Sequence, residues 1–149
     1  MRNSIMVFVF SLTLLMLVSC GRYTKESDCF NEVLKVYGIS IPDENHCYVV
    51  IPVYSCHGCV QKTWLWLKGN VSEKPNHSIT VIDYNKKNAI AKQINCEVHF
   101  DTLRALDNVC FDLANPTIIK TIDRKITTII SIDSRYIDEM LEMELKEFI

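Results

Sequence analysis

Between residues 48 and 69 a short aliphatic run meets a helical pattern across a pair of cysteines, and this junction restricts the chain more than any other feature. Tyr48 to Tyr54 (YVVIPVY) is apolar and β-branched in the manner of a buried strand, and Pro52, which cannot donate a ladder hydrogen bond, marks its end. Cys56-His57-Gly58-Cys59 follows, then Val60, Trp64 and Leu67 at helical spacing, with Gly69 as the stop. Two cysteines so spaced at a helix start can close a disulfide within one turn. The unpaired N–H groups and partial positive charge of a helix N-terminus also favour a thiolate at the first of them. Cys56 is therefore the expected attacking thiol and Cys59 the resolving one. His57, if protonated, would add positive charge beside Cys56, and Gly58 leaves the turn flexible, so both are expected to tune the redox behaviour.

The flanking pattern alternates helices and strands. A helix is expected over 27–37, with Ser27 as cap, Phe30, Val33, Leu34 and Tyr37 on one face and Gly38 as terminator. Ser78 to Tyr84 reads as a second buried strand, 94–98 as a short strand, and 100–109 as a short helix capped by Asp101, with Leu103 and Leu106 inward. Thr117 to Ile122 and Ile126 to Ile132 are β-branched runs separated by three residues, which favours an antiparallel hairpin. The last element is amphipathic through Ile137, Leu141, Leu145 and Phe148, with Asp133 or Ser134 as cap and Asp138 and Glu139 in its first turn.

That order, with a CxxC opening the second helix and Asn115-Pro116-Thr117-Ile118-Ile119 opening the hairpin, resembles the thioredoxin fold. The resemblance implies a three-layer α/β/α sandwich with a central mixed sheet. It also implies a cis-proline at Pro116 that aligns the backbone of a substrate cysteine beside the disulfide. Two features depart from the thioredoxin pattern: Gly58 stands where those proteins usually carry proline, and the strand before the CxxC has no acidic residue matching their buried carboxylate. The peroxiredoxin pattern also overlays Pro52 and Cys59, but with Cys56 at its hydroxyl position, which converts a peroxide site into a dithiol site.

The first twenty residues give the expected compartment. Arg2 precedes the apolar stretch Ile5 to Val18, too short for the usual spanning helix of ~20 residues and thus a signal-peptide core. Leu17-Val18-Ser19-Cys20-Gly21 then resembles the bacterial lipobox, which implies cleavage before Cys20 and acylation of that residue, with palmitate among the expected chains. The expected organisation is a signal peptide over 1–19, a lipidated tether over 20–26 and a thioredoxin-like domain over 27–149. It places the protein in the bacterial envelope, facing an extracytoplasmic space where disulfides persist. The leader narrows the resemblance to membrane-anchored thiol-disulfide proteins of the TlpA and ResA type. A formal net charge of −2 gives no argument for a nucleic-acid partner. The implied partners are exported cysteine-containing proteins and a separate redox partner.

Disulfide exchange needs only a thiolate, a resolving thiol and access, so no cofactor is expected. The remaining cysteines, Cys29, Cys47, Cys96 and Cys110, are candidates for structural disulfides, with proximity favouring Cys29 with Cys47 and Cys96 with Cys110. The competing readings use the same residues. One is a zinc site of Cys56, Cys59, Cys96 and His99, near His46 and Cys47, or a copper site built on the CxxC and a histidine. The other is a non-catalytic thioredoxin-like envelope lipoprotein whose CxxC is structural.

Overall fold

The computed structural model describes residues 22–73 and 75–149. The leader, the lipobox and Cys20 lie outside the described residues. Helix α1 spans Thr24–Val36, β1 His46–Ile51, α2 His57–Val71, β2 Asn76–Asp83, β3 Cys96–Phe100, β4 Thr117–Ile122, β5 Lys125–Ser131 and α3 Ile137–Leu145, with short 3₁₀ turns at Ala89–Gln93, Ala105–Asn108 and Lys146–Phe148. The five strands form one sheet in the order β3-β2-β1-β4-β5. β1 is central, parallel to β2 and antiparallel to β4. β2 is parallel to β3, and β4 is antiparallel to β5.

Strand alternation distributes the core between two layers. Cys47, Val49 and Ile51 of β1 point to one face, against Trp64 and Leu67 of α2 and Leu141 of α3. Tyr48 and Val50 point to the other, against Phe30 and Leu34 of α1 and Leu106 of the 3₁₀ turn. All six residues of β1 are buried, as a strand covered on both faces requires. Each large apolar side chain so buried contributes about 1.5–3 kcal/mol of hydrophobic stabilisation. The result is the three-layer α/β sandwich expected from the sequence, consistent with a thioredoxin-like architecture.

Several local expectations are corrected. Ser27 does not cap α1, because the helix begins three residues earlier after Tyr23. Its hydroxyl instead donates to the Tyr23 carbonyl at 2.5 Å and accepts from the Ile126 N–H at 2.8 Å, tying α1 to β5. Gly38 does end α1: at φ 76° its N–H reaches the Lys35 carbonyl while Ile39 N–H reaches that of Leu34, a Schellman closure. Gly69 does not stop α2, which runs on so that Val71 joins the core. The helix expected over 100–109 shrinks to one 3₁₀ turn, because Phe100 belongs to β3 and Arg104 takes a left-handed conformation (φ 57°) that a continuous helix excludes. Asp101 still caps that turn, accepting from Ala105 N–H at 2.7 Å and Leu106 N–H at 3.0 Å, while Leu103 is exposed rather than inward.

The β4–β5 hairpin is tighter than its three-residue gap suggested. Asp123 and Arg124 alone form the turn, both with positive φ (49° and 61°), the geometry whose twist suits a two-residue hairpin loop. Their N–H groups donate to the carbonyls of Asp43 and Pro42, and the Arg124 guanidinium pairs with the Asp43 carboxylate. α3 has no side-chain cap; Asp133 accepts from the Arg135 N–H and pairs with its guanidinium instead.

Candidate functional site: a disulfide at the start of helix α2

β1 ends at Ile51, immediately before Pro52, and a turn closed by Ser55 N–H to the Pro52 carbonyl (3.1 Å) brings the chain to Cys56. Cys56 is the N-cap of α2, in extended conformation. Its sulfur accepts a hydrogen bond from the Cys59 N–H at 3.0 Å, so a helix-terminal donor is aimed at the atom that would carry negative charge. Cys56 and Cys59 are joined as a disulfide, with Cα atoms 5.2 Å apart. The two cysteines differ in access: Cys56 is exposed, whereas Cys59 is 2% exposed and belongs to the core beneath the helix.

The remaining expected positions fall around this pair in different ways. His57 and Gly58 form the exposed first turn of α2, and a Cβ built on Gly58 would meet nothing within 4 Å. Pro116 precedes β4, whose Thr117 pairs with Val50. Continuing that register sets Pro116 opposite Ile51, at the end of β1 that leads to the CxxC. Its peptide bond is trans, for no cis bond occurs among the described residues, which corrects the cis-proline implied by the resemblance. Trans is the intrinsically favoured isomer, and Pro116 accepts the Ile132 N–H through its carbonyl at 2.8 Å in that form.

Tyr54, two residues before Cys56, is 72% exposed and accepts a hydrogen bond from the Arg104 guanidinium at 2.8 Å. Together with Tyr84, Lys86 and Lys87 they line an open groove of about 550 Å³ outside the carboxyl ends of β1 and β2, where open α/β sheets commonly place ligands. Beneath the site Trp64 is fully buried, and its indole N–H donates to the Asp83 carboxylate at 3.0 Å. Asp83 also accepts from the Asn85 N–H and the Asn88 amide. Burial nevertheless holds its pKa above the ordinary carboxylate value, against the lowering effect of those bonds. Sequence reading of the strand before the CxxC missed this carboxylate because it comes from β2, opposite Ile51. The available signal was an aspartate closing the apolar run ITVID.

The other cysteines do not pair as proximity suggested. Cys47 lies in the core on the α2/α3 face, whereas Cys29 sits on α1 across the sheet, so those two cannot be bridged. Cys96 packs against the same core as Cys47, while the segment carrying Cys110 lies against α1. All four are free thiols. Burial raises the Cys47 pKa strongly and pushes the Cys96 thiol up to about 12, helped in the latter by neighbouring Glu97. Nor is the Cys56, Cys59, Cys96 and His99 zinc set assembled. Cys96 opens β3 opposite Asn76, at the end of the parallel strands away from the CxxC. Among the described residues no cluster of three His, Cys, Asp or Glu is placed to hold a metal ion. No protein-family model, curated protein or solved structure matches this chain.

Proposed function

We propose that the protein is a lipid-anchored, extracytoplasmic thiol-disulfide oxidoreductase that exchanges disulfides with exported cysteine-containing proteins through Cys56 and Cys59. One observation carries this reading: an exposed cysteine caps the helix that buries its partner. In the oxidised form a client thiolate attacks Cys56, the exposed cysteine, and expels Cys59 as a thiolate; a second client thiolate then attacks the client sulfur of the mixed disulfide and releases Cys56, whose sulfur has the Cys59 N–H aimed at it. In the reduced form Cys56 attacks a client disulfide, and Cys59 then attacks the mixed disulfide to release the reduced client. Each round moves two electrons and needs no group besides the two cysteines. The exposed groove beginning at Tyr54 is the surface on which a client segment would rest. The lipobox-like Leu17 to Cys20 supplies the anchor in this proposal, since two or more acyl chains give stable membrane attachment.

The test replaces Cys59 by Ala and recovers whatever is disulfide-linked to Cys56 in the living cell. The expected result is a set of exported proteins released by reductant and absent when Cys56 is also replaced. In parallel, the wild-type pair is titrated in defined thiol buffers. A Cys56–Cys59 couple that stays oxidised below about −300 mV, with nothing trapped, would mark a structural bridge and defeat the proposal.

A further inference from the structure

Cys29 and Cys110 are far apart in sequence but form one clasp. The Cys29 thiol donates to the Asn108 carbonyl at 3.5 Å, and the Cys110 thiol donates to the Lys25 carbonyl at 3.6 Å. Lys25 lies one helical turn before Cys29, so its carbonyl is the acceptor that α-helix geometry assigns to the Cys29 N–H. Each sulfur is thus fastened to a backbone carbonyl within four residues of the other cysteine. Cys110 is exposed and Cys29 half-buried, so a reagent in solution reaches the pair from the Cys110 side.

We propose that Cys29 and Cys110 are a second redox pair, which closes into a disulfide stapling α1 to the segment that leads into Pro116 and β4. Burial and contact with Cys110 push the Cys29 thiol up to about 11, which leaves the opening attack to Cys110. The oxidant is a small-molecule disulfide such as glutathione disulfide. The Cys110 thiolate attacks one of its sulfurs, forming a mixed disulfide and releasing one thiolate. The Cys29 thiolate then attacks the Cys110 sulfur and expels the second. Two cysteine thiols are oxidised by two electrons, one external disulfide becomes two thiols, and the two cysteine protons end on those thiols. The staple sits on the opposite face of the sheet from α2, so its chemistry does not depend on the Cys56–Cys59 exchange.

The full chain, purified in mild detergent and reduced, is incubated across glutathione buffers, blocked with N-ethylmaleimide and digested with trypsin without reductant. Peptides 26–35 and 105–120 each contain a single cysteine. They are expected to appear joined, with the separately alkylated forms falling about tenfold towards the oxidising end. Oxidised wild-type protein is also expected to unfold at a higher temperature than reduced protein, and Cys110→Ser to abolish both the joined peptide and its share of that shift. The proposal is overturned if the two peptides stay separately alkylated, stop at glutathione adducts, or join to peptides carrying Cys47 or Cys96. Mapping of the wild-type chain decides the matter even if the variant does not fold.

Discussion

His46 occupies the first position of β1, buried, with its ring Nε2 2.9 Å from the Thr80 hydroxyl oxygen. Burial disfavours the imidazolium and lowers its pKa below the ordinary histidine value, although Glu97 and Glu44 act in the opposite direction. The unfolded chain therefore takes up the proton more readily. Stability from neutral His46 is fully present above the unfolded value of 6.5 and is lost as pH falls through the folded pKa. His46→Gln should flatten the fall in stability between about pH 7 and 5, measured by urea unfolding at a series of pH values. An unchanged slope would assign the acid sensitivity to other groups. At this scale the sequence was informative about chemistry and poor about pairing. Cys56 and Cys59 could be assigned from three-residue spacing because one helical turn brings them together whatever the rest of the chain does. Cys29 and Cys47, nearer in sequence than Cys29 and Cys110, were misjudged because strand alternation sends Cys47 through to the other face.

Among the elements, α2 starts at the Cys56–Cys59 disulfide and carries the bond that seats it on the sheet. Trp64→Phe removes the indole donor to buried Asp83 and should cost about 2 kcal/mol at neutral pH. Asp83 already has a raised pKa, so the folded state holds a proton there more readily than the unfolded chain, and acidification through that folded value relieves the penalty on its charged form. The cost of Trp64→Phe should therefore shrink as pH falls, and losses that stay equal from neutral pH down to the unfolded carboxyl value of 3.8 would mean that the indole does not serve an ionised carboxylate. Gly58→Ala tests the exposed first turn. With open space around it and no positive φ, alanine should raise stability by about 0.5–1 kcal/mol, seen as a higher midpoint in thermal unfolding. Elements with long apolar periodicity, α1, β1, α2 and the hairpin, were legible because their packing and their local preference agree. The stretch 100–109 was not, since the left-handed Arg104 and the pairing of β3 with β2 are imposed by neighbours that a linear pattern does not contain.

For the whole molecule, the free thiols report different depths of opening. Cys110 is exposed, whereas Cys47 is fully buried with a strongly raised pKa. Maleimide labelling of native protein should therefore modify Cys110 rapidly and leave Cys47 untouched until global unfolding, its rate following denaturant as the unfolding equilibrium does. Labelling of Cys47 in native buffer would reveal that the α2/α3 layer lifts from the sheet on its own. The central place of β1 carries one more consequence. The strand that leads to Cys56 is flanked on one side by β2, made soon after it, and on the other by β4, which lies near the end of the chain. As the polypeptide emerges from its N-terminus, both cysteines of the CxxC are made before β4 and β5 exist to complete their support. A newborn chain thus presents the CxxC ahead of the strand that will close the second edge of β1.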